Sequence, residues 1–229
     1  MTKVINPNHE QIIEELKLIF IHIPKTGGTF IENRLYLLAR IINSKKYLRF
    51  SGHHSISSLN EKYSEYTSFC VVRNPYDRLI SAYNYLRSRN DKYHKRFLKL
   101  LKDPEDLNEF VRSIEEIYKI NNGQMSGLMS VPHIIPQYYF CCNEKQMAVK
   151  SILKYEFLDR DFKKFIGHFK KQPLIYAFLY ILIYKQILIK PTYSKSNLSD
   201  RSVQIINSVY HYDFTLFDYP FMNCTSQIN

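Results

Sequence analysis

The segment Lys25-Thr26-Gly27-Gly28-Thr29 combines a lysine, two threonine hydroxyls and two adjacent glycines. Because glycine has no Cβ atom, such a segment can bring its backbone close to a ligand. At the N-terminus of a helix the backbone N–H groups and the helix dipole favour anions, and Lys25 adds a positive charge there. The segment therefore predicts a loop that binds a phosphate-like group, with a glycine turn that holds no ligand as the alternative.

This loop differs from the phosphate-binding loop of nucleoside triphosphatases. That loop reads GxxxxGK[ST], so its lysine follows the second glycine. Here Lys25 precedes both glycines, and no earlier glycine stands at the required spacing. The segment therefore lacks the nucleoside triphosphatase fingerprint.

Arg73 and Ser81 form a second pair of candidate binding residues. Arg73 directly follows the apolar run Phe69–Val72, and ligands of open α/β sheets bind at the carboxyl ends of the strands. Ser81 lies about two turns into the helix that is predicted next. A phosphate would accept charge-assisted hydrogen bonds from the arginine and a further bond from the serine hydroxyl. The alternatives are an ion pair between Arg73 and Asp77 and an ordinary helix hydroxyl at Ser81.

Both groups of residues lie where a predicted strand passes into a predicted helix. Leu18–Ile23 is a nearly continuous apolar run of strand length, and residues 30–42 carry apolar side chains at helical spacing. Phe69–Val72 and residues 76–89 repeat this order. A strand that is apolar throughout is typical of a parallel sheet buried on both faces. The sequence therefore predicts the α/β class, with a central parallel sheet flanked by helices.

The rest of the chain continues the alternation of strands and helices. A helix is predicted after Asp103 as its N-cap, because proline follows at the first helical position. A strand is predicted at residues 151–156, followed by a helix with an acidic first turn, and a final helix is predicted from Ser199. Since no repeat or linker interrupts these elements, the sequence predicts one domain over residues 1–229.

Composition and charge narrow the class of protein. A hydrophobic content of 45% and an aromatic content of 15% exclude a disordered or collagen-like chain. Four cysteines in 229 residues exclude a disulfide framework. The net charge is +11, and basic residues are concentrated between Arg40 and Lys99. This charge indicates either a solvated face or a polyanionic partner, such as a nucleotide, a nucleic acid, an anionic glycan or an acidic membrane surface.

Two features bear on location. The N-terminal residues contain no apolar stretch of the kind found in signal peptides, so we expect a cytoplasmic protein, with the Golgi lumen as the alternative. The longest apolar run is Leu174–Tyr184, and even when it is extended to Ile189 it is shorter than the ~20 residues of a membrane-spanning helix. It predicts a buried helix, with a helix resting on a membrane as the alternative.

Taken in this order, the two candidate segments resemble the 5′- and 3′-phosphosulfate-binding motifs of the sulfotransferases. The first motif is Ile23–Phe30 and the second is Val72–Tyr83. The resemblance covers about residues 17 to 220 and is closest to the carbohydrate branch, with the heparan sulfate 2-O-sulfotransferase and chondroitin sulfotransferase types. Shorter pieces also fit this family: Gly52-His53-His54-Ser55, Pro136-Gln137, Ile152–Glu156, Tyr210–Phe214 and Leu216–Tyr219.

The resemblance implies a P-loop-like fold and transfer of a sulfuryl group from 3′-phosphoadenosine 5′-phosphosulfate, without a metal ion. It implies that the 5′-phosphosulfate is held by Lys25, Thr26, Gly27, Gly28, Thr29 and Phe30. Lys25 would lie near the bridging oxygen, and Arg73 and Ser81 would hold the 3′-phosphate. Thr192 and Lys195 match a later family loop near the nucleotide. The sequence contains no HExxH or CxxC spacing that would point to a metal site.

The resemblance also implies a catalytic base between the two motifs. The family pattern Gly-His-x-Ser assigns this role to His53, and a slip of one residue in the alignment assigns it to His54. Histidine suits the role because its unperturbed pKa of about 6.5 leaves a proton-accepting fraction at neutral pH. The alternative is an exposed pair of loop histidines without a role.

The predicted function is therefore sulfation of a hydroxyl group, with an anionic glycan as the expected acceptor and no nucleic-acid partner. One alternative is a P-loop-like nucleotide kinase. A kinase would need acidic Mg²⁺ ligands at a strand end, where this sequence has Arg73. The other alternative, a non-enzymatic module that binds polyanions, explains the charge but not two nucleotide-type loops.

Overall fold

The computed structural model describes residues 11–44, 47–48, 55–59, 61–120, 125–169 and 194–223. The chain divides into two compact units, residues 1–73 with 137–188 and residues 74–136 with 189–229. That these two units form one domain stays a prediction.

Four of the sequence predictions fall outside the described residues. These are His53, His54, Thr192 and the apolar segment 174–189. Among the helices that are described, none is long and apolar enough to cross a membrane.

Within the described residues, the first unit contains a five-stranded sheet and a two-stranded hairpin. The strands are β1 Gln11–Ile13, β2 Leu18–Ile21, β3 Tyr47–Leu48, β4 Thr67–Val72, β5 Cys142–Asn143, β6 Gln146–Met147 and β7 Ser151–Lys154. The larger sheet has the order β3-β1-β2-β4-β7. Strands β2, β4 and β7 are parallel, whereas β1 runs antiparallel to both β2 and β3. The α/β prediction is confirmed, and the antiparallel edge is a feature that the sequence did not indicate.

The described helices belong to both units. They are α1 Gly28–Ile41, α2 Pro75–Ser88, α3 Lys92–Leu100, α4 Leu107–Ile120, α5 Tyr138–Cys141, α6 Leu158–Gly167, α7 Asp200–Val209 and α8 His211–Leu216. Helix α1 follows β2 and helix α2 follows β4, as predicted. Strand β7 ends two residues earlier than predicted, because residues 155–157 form a 3-10 turn that leads into α6.

The core of the first unit holds β2 and β4 against α1 and α6. Every residue of β2 is buried, and so is every residue of β4 after its first. The rings of Phe20 and Phe69 lie 5.0 Å apart, and Phe165 of α6 lies 4.4 Å from Phe69. Leu35 of α1 joins the same cluster. Burying each such side chain contributes about 1.5–3 kcal/mol, so the carboxyl ends of both strands are firmly placed.

The described part of the second unit contains helices and no strand. Tyr83 of α2 packs against Phe110 of α4, with ring centroids 5.3 Å apart. Asn108 of α4 accepts hydrogen bonds from the backbone of Ser199 at 2.9 Å and from the hydroxyl of Ser202 at 2.8 Å. Ser199 is the N-cap of α7, which confirms the predicted start of that helix, but α7 is not the final helix, because α8 follows it.

The prediction that Asp103 caps a helix is wrong. Helix α4 begins at Leu107, and the side chain of Asp106 accepts a hydrogen bond from the backbone of Glu109 at 2.8 Å. Asp103 has a left-handed φ of 49°, and its N–H donates to the carbonyl of Leu98. The residue therefore closes α3, a helix that the sequence analysis did not predict.

Candidate functional site

The loop between β2 and α1 turns sharply at two residues with left-handed backbone conformations. Lys25 has a φ of 68° and Gly27 a φ of 87°. The side chain of Thr26 is fully buried, and its hydroxyl donates to the carbonyl of Ile23 at 2.9 Å. Gly27 is the N-cap of α1, and no side chain in the described part of the chain caps that helix. The first N–H groups of α1 are therefore available to an anion, and Thr26 can contribute only its backbone.

Gly28 is required by a neighbouring side chain. A Cβ atom added at this position would lie 1.9 Å from Nε2 of His22. The ring of His22 is held in place by Glu32 of α1, whose carboxylate lies 2.7 Å from Nδ1. Gly28 therefore has a packing function, whereas the sequence pattern had suggested that both glycines make room for the ligand.

Within the described part of the chain, no three His, Cys, Asp or Glu side chains are grouped to hold a metal ion.

Gly27 rests against the turn that follows β7. A Cβ atom added there would lie 3.0 Å from side-chain carbons of both Tyr155 and Leu158. Since its φ is also positive, any other residue would be strained at this position. Tyr155 and Leu158, at the connection between β7 and α6, therefore pack against the glycine loop.

Arg73 converges on the same loop from the end of β4. Its guanidinium donates to the carbonyl of Lys25 at 3.3 Å and lies 4.2 Å above the centre of the Tyr155 ring. Its backbone N–H and carbonyl exchange two 2.8 Å hydrogen bonds with the side chain of Gln137. The buried Nε of Arg73 has no hydrogen-bond partner among the described residues. A buried donor without a partner costs about 1–3 kcal/mol, and a bound anion would remove that cost.

Phe30 and Thr29 occupy different positions in the first turn of α1. The ring of Phe30 is covered by Arg34, whose guanidinium carbon lies 3.3 Å from the ring centre. Burial lowers the pKa of Arg34, and the charge of Asp159 partly opposes that shift. Thr29 is exposed, so its hydroxyl is accessible to a ligand.

Two further candidates lie in the second unit. Ser81 is half-buried on α2. The Nζ atom of Lys195 forms an ion pair with Asp77 at 2.8 Å. One alternative from the sequence was an ion pair between Asp77 and Arg73. In the structure the carboxylate of Asp77 pairs with Lys195 instead.

Gln137, Tyr155, His22 and Glu32 contribute to the site, although the sequence alone predicted no role for them. Gln137 and Tyr155 belong to segments that contributed to the family resemblance, but no local pattern connects them to Arg73. His22 precedes the loop directly, and its contact with Gly28 depends on how the chain turns back after Lys25.

Comparisons with known proteins give one family. A family model described as "Sulfotransferase family" matches residues 9–220. Carbohydrate sulfotransferase 11 of Rattus norvegicus and the protein of the same name from Mus musculus are each 26% identical to this chain over 113 residues. These matches cover 42% of this chain and 32% of each relative, so they span about a third of the relatives' length. No solved structure matches the chain.

Proposed function

The chain belongs to the sulfotransferase family, as its two motifs predicted, and we propose that it transfers a sulfuryl group from 3′-phosphoadenosine 5′-phosphosulfate to a carbohydrate hydroxyl. The observation that carries this proposal is the convergence of Arg73 on the glycine loop. Arg73, whose buried Nε has no hydrogen-bond partner among the described residues, contacts Lys25 in the loop that leads into α1, and no described side chain caps that helix. Both features favour bound phosphate groups.

The two motifs suit the two phosphate-bearing ends of one nucleotide. Neighbouring strands of a sheet lie ~4.8 Å apart, so the loop after β2 and Arg73 after β4 are adjacent. The donor carries its 3′-phosphate and its 5′-phosphosulfate on one ribose. We assign the 5′ group to residues 25–30 and the 3′-phosphate to Arg73, with Ser81 as a further ligand. Thr192 and Lys195 remain proposed contacts of the nucleotide.

The proposed reaction is an in-line displacement at sulfur. The acceptor oxygen forms a bond to sulfur while the bond between sulfur and the bridging oxygen breaks. The electron pair of that bond stays on the phosphate of the leaving group, 3′-phosphoadenosine 5′-phosphate. We assign to Lys25 the stabilisation of this growing negative charge, because a positioned cation acts strongly where charge develops. As in phosphoryl transfer, positioning and electrostatics would supply most of the catalysis.

The acceptor proton needs a base, and we propose His53, with His54 as the alternative. We expect His53→Ala to lower kcat by ~10²–10⁴-fold while nucleotide binding stays intact. The rate of the parent should fall as the pH decreases through one ionisation, because a protonated imidazole accepts no proton. The variant should lose that dependence. Activity that survives in His53→Ala but not in His54→Ala assigns the role to His54, and full activity in both variants excludes each of these two histidines as the required base.

A carbohydrate acceptor is supported by the relatives and by the charge. The two matching proteins are named carbohydrate sulfotransferases, and the chain carries a net charge of +11. A basic protein attracts anionic chains such as uronate-bearing glycans.

The decisive experiment compares nucleotides by thermal shift. The panel contains 3′-phosphoadenosine 5′-phosphate, AMP, ADP and ATP, each with and without Mg²⁺. At a hundredfold excess over Kd, the preferred ligand stabilises the folded protein by about 2.7 kcal/mol. We expect the largest shift with 3′-phosphoadenosine 5′-phosphate and no dependence on Mg²⁺. A preference for ATP that requires Mg²⁺ indicates a kinase, and equal shifts with every anion indicate a polyanion-binding module.

A further inference from the structure

A group of exposed basic side chains lies between the end of α2 and the end of α3. We call it the basic helix surface, and it consists of Arg87, Arg89, Lys92, Lys95, Arg96 and Lys99. The four residues on α3 follow the i, i+3, i+4, i+7 spacing that places side chains on one face of a helix. None of the six forms an ion pair with a described residue.

This lack of ion pairs contrasts with exposed cations elsewhere in the chain. Lys163 pairs with Asp159 at 2.7 Å, and Lys119 pairs with Glu115 at 2.8 Å. Within residues 87–99 the only carboxylate is Asp91. It accepts one hydrogen bond from the backbone N–H of His94 at 3.0 Å, and its carboxylate lies 2.7 Å from the Nδ1 atom of the same residue. The positive charges of the surface therefore repel one another without local compensation, which destabilises the folded chain unless an anion binds.

The opposite face of α3 is packed into the second unit. Phe97 and Leu98 are buried, as is Leu101 directly after the helix. The ring of Phe97 lies 5.8 Å from that of His133. Phe97 and Leu98 are covered, so the side chains that α3 exposes most are its four cations together with Tyr93 and Leu100, which are 62% and 44% exposed. These two side chains are too few to form the apolar face of a helix that lies in a membrane.

We propose that the basic helix surface binds the anionic glycan chain that carries the acceptor hydroxyl, outside the sugar residue that reacts. This inference rests on the proposed sulfotransferase function. Carboxylates repeated along such a chain complement a row of cations along a helix, and the exposed ring of Tyr93 can pack against a sugar ring. Ser81 lies on the same helix as Arg87, about 9 Å away along the axis. The surface would therefore bind the chain near Ser81, the nucleotide ligand assigned to α2.

The test compares two triple variants with the same loss of charge. The first is Lys92→Gln, Lys95→Gln and Arg96→Gln, which removes charge from the surface and keeps residues that favour a helix. The control is Lys150→Gln, Lys164→Gln and Arg40→Gln, at exposed positions in the first unit. Binding of chondroitin, an unsulfated uronate-bearing glycan, is measured over a range of salt concentrations. Binding of 3′-phosphoadenosine 5′-phosphate and circular dichroism are measured for each variant.

We expect the surface variant to bind chondroitin about tenfold more weakly. The dependence of its affinity on salt should also be shallower, because fewer contacts between cations and the glycan mean that fewer counterions are released on binding. The control variant should bind chondroitin within about twofold of the parent. Nucleotide binding and helix content should be unchanged in both. Equal loss in the two variants shows attraction to net charge alone and overturns the inference.

Two other results separate this inference from its premise. The first is a parent protein that binds chondroitin through this surface without binding 3′-phosphoadenosine 5′-phosphate. That result contradicts the proposed function but supports the role of the basic helix surface in glycan binding. A parent that binds single-stranded DNA more tightly than chondroitin, with the loss again confined to the surface variant, overturns the glycan as its partner.

Discussion

The two phosphate-type motifs are held in place by different kinds of contact. In the glycine loop, His22 leaves no space for a side chain at Gly28, and Tyr155 with Leu158 closely approaches Gly27. Arg73 is held by polar contacts and keeps one buried N–H without a partner among the described residues. Packing holds the loop in place without a ligand, whereas the proposed anion would give Arg73 a further hydrogen-bond partner. Substitutions in the two motifs should therefore affect different measurements.

The largest effect is expected for the side chain of Lys25. If its ammonium stabilises the leaving oxygen, Lys25→Ala should lower kcat by ~10²–10³-fold, with a smaller effect on nucleotide affinity. The measurement is the rate of release of 3′-phosphoadenosine 5′-phosphate in the steady state. Unchanged kcat with a raised KM would reduce Lys25 to a binding residue.

Lys25 also has a left-handed backbone, so a control must separate its charge from its conformation. Lys25→Gly removes the ammonium and adopts that conformation without strain. If charge is what matters, the glycine and alanine variants lose activity equally. Lys25→Arg should restore little, because a planar guanidinium replaces a compact ammonium.

The next effect is on stability. Gly28→Ala should destabilise the protein by about 3 kcal/mol, because the new methyl group overlaps the ring of His22. Denaturant unfolding measures this loss. Combining it with His22→Ala should recover much of the stability, since the smaller side chain leaves room for the methyl group. His22→Ala alone is the control, because it also removes the contact with Glu32. If Gly28→Ala costs as much stability in the His22→Ala background as in the parent, the ring is not what excludes a side chain at position 28.

Arg73→Ala should show the opposite behaviour. Loss of a charge-assisted contact should weaken 3′-phosphoadenosine 5′-phosphate binding by about 1.5–3 kcal/mol. AMP, which lacks the 3′-phosphate, should bind almost as well as before, and stability without ligand should change little. Isothermal titration with both nucleotides tests this. Equal losses for the two would make Arg73 a structural residue, and the contrast between the motifs would disappear.

The elements that the sequence predicted correctly are those with a long apolar pattern or with a clear turn signal at their end. The apolar runs of β2 and β4, each followed by a glycine or proline turn, indicated the strand–loop–helix units that carry both motifs. Strands β1 and β3 have three and two residues, too few to show a periodicity. Asp103 carried a valid capping signal, but its backbone closes the preceding helix α3. A local pattern cannot decide whether such a residue begins the following helix or ends the preceding one.

For the site, the sequence predicted residue types better than their physical roles. It identified Gly28, but the reason for glycine there is the ring of His22, which a linear pattern does not reveal. Tyr155 and Gln137 reach Arg73 from distant parts of the chain, the latter across 64 positions. Such contacts depend on strand order and on how the connections pack, so spacing along the chain carries no signal for them.

Gln137 provides the smallest and most specific test of the contrast. Its side chain is fully buried and bonds both the N–H and the carbonyl of Arg73. Gln137→Ala leaves these two backbone groups without that partner and should cost ~1–2 kcal/mol of stability. Because Arg73 then loses its backbone support, the affinity for 3′-phosphoadenosine 5′-phosphate should fall a few-fold more than that for AMP. Gln137→Glu keeps the acceptor for the N–H but cannot donate to the carbonyl when ionised, so it separates the two bonds. If Gln137→Ala lowers stability and leaves the ratio of the two affinities unchanged, Gln137 supports the fold alone, and the position of Arg73 is set by its contacts with Tyr155 and Lys25.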